Sequence, residues 1–283
     1  MFFLARLTGD PTDLFLPVDA SREDRLEFAH KHGYDLPATE QFLRFAGEVM
    51  EGNLGFSLRK QRPAIDVVLE AYPTTLKLAG VTLLIAISLA IVVGALAAYR
   101  PGGLFDRMGS TFGLVGASAP DFWVAITAIL FFSVTLRWLP TSGTGGLLFW
   151  IMPVTVLALR PFGLLVQVTR GAMLDALASA YVKTARAKGV SERSVIFVHA
   201  LRNACLAVVT VAGNLAVGLI NGAVIVETVF GWPGVGKLMI DAVVQRDFPV
   251  VQASIMVTAI AIFLMNVLID LLYVALDPRI RHQ

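Results

Sequence analysis

Five apolar runs, each long enough to cross a lipid bilayer as a helix, constrain this chain more than any other feature of its sequence. A bilayer core about 30 Å thick takes about 20 apolar residues of helix. The runs are 74–98, 111–136, 147–169, 203–228 and 250–276. Each must be helical, because lipid offers no partner to a free backbone N–H or C=O. The connectors carry the expected breakers: Arg100-Pro101-Gly102-Gly103, the Pro140 to Gly146 stretch, and Gly231-Trp232-Pro233-Gly234. The class that follows is all-α, a polytopic membrane bundle. Composition agrees. Of 283 residues 56% are hydrophobic, against about 45–50% in soluble domains.

Charge divides the chain in two. Residues 1–73 hold eight Lys/Arg and twelve Asp/Glu, a net of −4; residues 74–283 hold the other fifteen and nine, a net of +6. The expected domains are therefore a polar outer segment, 1–73, and a membrane domain, 74–283. Within the short loops, Arg100, Arg107, Arg170, Lys183, Arg186, Lys188, Arg193, Arg202, Arg279 and Arg281 fall on one side. Arg137, Lys237 and Arg246 fall on the other. The excess of cations marks the cytoplasmic side. The loop 170–202 and the C-terminus are expected there, and 137–146, 229–249 and the polar segment outside.

The outer segment reads as helical. Gln41, Phe42, Phe45, Val49 and Met50 recur at helical spacing, and Gly52 to Ser57 ends that helix. The apolar start Met1 to Thr8 is too short to span, since eight residues rise only about 12 Å. It reads as the remnant of a first span, with the natural start lying upstream of Met1. The single cysteine, Cys205, excludes an intrachain disulfide and any thiol metal cluster. No HExxH or comparable metal-ligand pair occurs.

The loop 170–202 is too long for a mere connector. Leu174, Leu177, Ala178, Tyr181 and Ala185 form one helical stripe, with Lys183 and Arg186 opposite. Gly189 ends the helix, and Ser191 is placed to cap a second, Glu192 to Leu201. Such a helix buries its stripe either on the membrane surface or in a groove of a partner. Both readings are open at this level.

Gly231 to Lys237, GWPGVGK, fits the outline of a phosphate loop, but Leu238 stands where Ser or Thr is needed and no strand precedes it. It reads as an external turn. Arg160, Asn214, Asn221, Glu227, Asn266 and Asp270 lie within or at the ends of spans. Ionisable groups there are costly and face a cavity or a partner. Arg160 either pairs with Asp270 or snorkels. Asn214 and Asn221, seven apart, share a face, either for helix–helix hydrogen bonds or to line a solute path. Asp121, after Pro120, reads as a helix-start acid near the cytoplasmic end of its span.

Thr184-Ala185-Arg186-Ala187-Lys188-Gly189, then nine residues, then His199-Ala200-Leu201-Arg202-Asn203-Ala204, resembles the cytoplasmic loop motif of ABC importer permeases of the dipeptide/oligopeptide (and nickel) type. Gly9-Asp10-Pro11, Gly52 to Ser57, Tyr72 to Leu76, Thr228 to Gly236, Gln245 to Pro249 and Asp277-Pro278-Arg279 match the same family in order. Lys183 stands where the general importer motif has glutamate, as is usual for the peptide branch. The resemblance implies six spans, one more than this chain holds, and no catalytic residue or cofactor. It implies a permease forming half of a path for di- or oligopeptides or similar small solutes in the bacterial inner membrane. Tyr181, Thr184, Ala185, Arg186, Ala187, Lys188, Gly189, His199 and Arg202 would form the ATPase-coupling loop. The implied partners are a second permease, two cytoplasmic ATPases and an external solute-binding protein, with no nucleic acid. The competing class is a secondary transporter or channel working without an ATPase. It would show internal repeats and paired intramembrane acids, and no convincing repeat is visible.

Overall fold

The computed structural model describes residues 16, 20–57 and 59–276. The apolar start, the Gly9-Asp10-Pro11 match and the closing Asp277-Pro278-Arg279 match lie outside them. The chain divides into two compact units. One joins residues up to Pro73 with Lys237–Ala261; the other joins Thr74–Gly236 with the residues from Ile262 onward.

In the first unit, helix α1 (Arg22–His32) starts at a capping box between Ser21 and Asp24 and stops at Gly33, which takes φ 68°. Helix α2 (Ala38–Met50) carries the expected outer-segment residues. A two-residue hairpin follows, β1 (Phe56–Ser57) against β2 (Arg62–Pro63), paired antiparallel.

Four helices are long and apolar enough to cross a membrane. They are α3 (Ala64–Tyr99), α6 (Leu148–Ala178), α8 (Glu192–Val229, with a π-helical stretch over Val195–Ala200) and α10 (Phe248–Leu276). Short helices α7 (Ala180–Ala187) and α9 (Val235–Val244) lie between them. The expected span 111–136 is not one helix. Helix α4 (Leu104–Ser118) and helix α5 (Asp121–Thr135) form a pair bent by 103°. The cause is Pro120: its ring disfavours the helical region for the residue before it, and Ala119 swings to ψ 135°. Counting that pair as one span gives five. Helix α6 also runs nine residues past the expected end at Thr169, to Ala178.

Helix α6 is the hub of the second unit. Small residues let backbones approach, which is how helices associate where lipid removes the hydrophobic drive. Gly163 of α6 meets Gly113 of α4 so closely that a Cβ on Gly163 would lie 2.0 Å from the Gly113 carbonyl oxygen. Gly94 of α3 meets Thr169 of α6, where a Cβ would lie 2.6 Å from the threonine Cβ. Three buried layers follow one another along α6. Met152 and Leu157 pack with Leu78, Leu219 and Trp232. Leu165 and Val166 pack with Ala90, Val208 and Ala212. Met173 and Ala176 pack with Ala95, Ile196 and Ala200.

Candidate functional site

Glu227 sits near the end of α8, fully buried. Its carboxylate accepts hydrogen bonds from the Thr75 hydroxyl at 2.6 Å and the Gly236 N–H at 2.8 Å. The Thr75 oxygen in turn accepts from the Val235 N–H at 2.9 Å. The GWPGVGK loop thus folds back on the end of its own span and is gripped by the carboxylate. Its glycines are required by that grip. A Cβ on Gly234 would lie 2.0 Å from Glu227 Oε1, and one on Gly236 would lie 2.5 Å from the Val224 Cα. Trp232 and Phe230 are buried, and Trp232 stands edge-on to Trp150 with ring centroids 4.6 Å apart. The Gly143 N–H donates to the Phe230 carbonyl at 2.8 Å. Two loops expected on one side of the membrane therefore meet at one end of this unit, together with the Tyr72 to Leu76 motif through Thr75.

The other end of the unit is fixed by Asp106. Its carboxylate is buried and takes both Nε and Nη2 of Arg170, at 2.5 and 2.8 Å, and the Gly102 N–H at 2.8 Å. This clamps the 100–103 turn and the start of α4 to the extended end of α6, whose next element is the loop helix α7.

The expected stripe on that loop is interrupted. Ser179 takes ψ 157° and separates α6 from α7, so Leu174, Leu177 and Ala178 lie on one helix and Tyr181 and Ala185 on another. Tyr181 is exposed, and the buried pair on α7 is Val182 and Ala185, packed on Val195. The loop thus holds itself together and leaves its opposite face open. Tyr181, Thr184, Arg186, Ala187, Lys188 and Gly189 are exposed, as is Arg202; His199 is half-buried. Tyr181, Thr184 and Lys188 share a face by helical spacing. Gly189 takes φ 78°, with open space around it. Arg186 forms a two-pronged pair with Glu192 across the turn, at 2.9 and 3.2 Å. That hydrogen bonding holds its guanidinium above the ordinary arginine range. Ser191 precedes the next helix as expected, but its side chain makes no capping bond.

In the first unit two further motifs meet. Ser57 donates to Asp247 at 2.5 Å, both buried, and accepts from the Lys60 N–H at 3.0 Å. Gly55, at φ 86°, lies against Pro249. Replacing Ser57 with alanine strands the Asp247 carboxylate. The expected cost is about 1–3 kcal/mol, read as faster proteolysis within 52–63 at an unchanged melting transition of the spans. Equal cleavage rates would reject the tie.

The path candidates separate. Glu227 belongs to the buried clamp. Asn214 and Asn221 are exposed on α8, and Asn266 and Asp270 are exposed on α10. Arg160 is exposed on α6 and forms no ion pair with Asp270 among the described residues; Asp121 lies near enough to feel its charge. Asp106, Val182 and Val195 carry the geometry without having been singled out in the sequence, and Thr75 was read there only within the Tyr72 to Leu76 match. Thr75 and Asp106 had one available signal, a polar residue inside or beside an apolar run.

Fold and site together define a multi-pass helical membrane protein with clamped loops at both ends of its larger unit and an exposed loop helix between spans. Comparison with known proteins narrows this. The family described as binding-protein-dependent transport system inner membrane component matches residues 90–282. The Di/tripeptide transport system permease protein DppB of Pseudomonas aeruginosa is 39% identical over 100% of this chain and 93% of its own. The Oligopeptide transport system permease protein AppB of Bacillus subtilis is 38% identical, over 97% of this chain and 90% of its own. The Dipeptide transport system permease protein DppB of Escherichia coli is 36% identical, over 99% and 92%. The chain belongs to the family of binding-protein-dependent transport system inner membrane components. Its fold is shared by the MetNI methionine ABC transporter, with TM-score 0.63 at 16% identity over 75% of this chain and 96% of that one. An amino acid ABC transporter shares it with TM-score 0.58 at 15% identity, over 74% and 93%.

Proposed function

We propose that this chain is a permease subunit of an ATP-driven importer for di- or oligopeptides, lining half of the solute path and leaving ATP hydrolysis to separate subunits. The observation that carries this is α7: a loop helix braced by Val182, Ala185 and Val195, with its Tyr181, Thr184 and Lys188 face uncovered, in a chain alike over its full length to peptide permeases. That face is the docking element for a cytoplasmic ATPase, and His199 and Arg202 of α8 belong to the same coupling loop. The cation excess supports a cytoplasmic 170–202 loop and C-terminus. A second permease, a pair of ATPases and an external solute-binding protein complete the machine. A cavity of about 700 Å³ opens beside α3 and α6. Its lining includes Val81, Leu89, Ile151 and Phe162, and its polar groups are the Thr155 hydroxyl and the Trp150 indole N–H. It offers a peptide backbone almost no hydrogen bonds, so the polar path runs elsewhere.

The test is gentle purification through a C-terminal tag, followed by uptake assays in vesicles. Two Walker-motif ATPases and a sister permease are expected to co-purify. A chain recovered alone and moving solute without ATP would overturn the reading. Two variants separate coupling from folding. Arg186→Ala removes an exposed pair with Glu192, which contributes little to stability; melting is expected to stay put while peptide uptake falls. Gly189→Asp puts a side chain at φ 78°, a conformation disfavoured outside glycine, and re-aims the turn. Normal membrane insertion with uptake lost is expected, and wild-type uptake would count against docking through this turn.

A further inference from the structure

Two opposite charges lie on touching helices of the larger unit without closing an ion pair. Arg160 lies twelve residues beyond Leu148 on α6, about 18 Å along the helix at 1.5 Å per residue. That is near the middle of a bilayer core about 30 Å thick. Its side chain is exposed. Asp121 begins α5 at the 103° break, and the break is pressed against this part of α6. Gly113 abuts Gly163, and a Cβ on Gly116 would lie 3.5 Å from the Leu159 carbonyl oxygen. The Asp121 carboxylate is half-buried and within Coulombic range of Arg160. Among the described residues, neither group has an ion pair or a hydrogen-bonded side-chain partner. Asp106 and Arg170 show the contrast: where this unit needs a structural pair, it closes one with two bonds.

An exposed guanidinium at mid-depth is expensive against lipid and tolerable only against a wet cavity or a partner. A cation and an anion held near each other but apart present separate counter-charges to a passing solute. We propose that Asp121 and Arg160 are a charge-selecting pair on the solute path, and that the solute they favour is a small zwitterion with a free ammonium and a free carboxylate. Arg160 receives the carboxylate in a planar, two-pronged geometry, and Asp121 receives the ammonium. This rests on the importer reading above.

The experiment uses the complete complex in proteoliposomes, with ATP and excess binding protein. Three probes are compared: an alanyl dipeptide with both ends free, its C-terminal amide and its N-acetyl derivative. Each variant is read as a ratio of uptake rates relative to wild type, so the binding protein's own preference cancels. Arg160→Gln is expected to lower the free-to-amide ratio about tenfold or more, the low end of what a hydrogen bond to a charged group contributes. Asp121→Asn is expected to lower the free-to-acetyl ratio similarly. Both variants should melt like wild type. Unchanged ratios overturn the proposal, and so does an equal loss for all three probes, which marks a structural role. So does a wild type that excludes both blocked probes while each variant still excludes them and moves the free dipeptide at the wild-type rate. Absence of ATP-driven uptake of any dipeptide by wild type rejects the importer reading instead.

Discussion

Glu227→Ala is expected to destabilise the larger unit by about 2–6 kcal/mol, at about 1–3 kcal/mol for each of two buried donors left without an acceptor. The reason is local. The carboxylate holds the Thr75 hydroxyl and the Gly236 N–H, and Thr75 holds the Val235 N–H. Alanine strands the Thr75 hydroxyl and the Gly236 N–H at a buried site. The fluorescence of Trp232 supplies the readout, because that indole is 2% exposed and stands edge-on to Trp150. Loss of the clamp should red-shift its emission and lower the melting temperature in detergent. Glu227→Gln keeps the shape but points an amide N–H at one of two donors, so an intermediate loss is expected. If alanine and wild type melt together with the same emission, the carboxylate does not hold the loop.

Gly163→Ala is the second large effect. The new methyl would lie 2.0 Å from the Gly113 carbonyl oxygen and 2.8 Å from its carbon. Both are backbone atoms, so no rotamer relieves the clash, and α4 must move off α6. Overpacking costs about 1–3 kcal/mol in general, and a backbone obstacle puts this site at or above the top of that range. The reciprocal change is milder. A Cβ on Gly113 would lie 3.3 Å from the Gly163 Cα and oxygen, so Gly113→Ala should cost clearly less. Melting temperatures of the two variants test the asymmetry; equal shifts would mean that α4 and α6 do not cross at this pair.

Several elements were legible in the sequence because their cause is local. Apolar run length fixed the bundle, and Gly52 marked a turn where the backbone takes positive φ. Pro120 was legible too, yet the run 111–136 hid it, since hydropathy averages over a break that a single Ala119 ψ produces. Pro73, Pro153 and Pro161 lie inside helices that continue through them. One proline in a span therefore does not announce whether the helix bends. The stripe on the loop helix failed for a similar reason. Helical spacing assumes one axis, and Ser179 starts a second.

The amino-acid sequence by itself determined the membrane class, the grouping of loops by charge and the motifs that identify the family, because length, charge and residue order are properties of the chain alone. Only the tertiary structure decided what those motifs do to one another. Thr75 and Glu227 are separated by 152 positions, and Ser57 and Asp247 by 190; no periodicity or spacing rule links such pairs. They meet because helices are brought side by side by glycine contacts and buried polar clamps. Asp121 stands near Arg160 without pairing with it for the same reason: the bend at Ala119-Pro120 set α5 against α6.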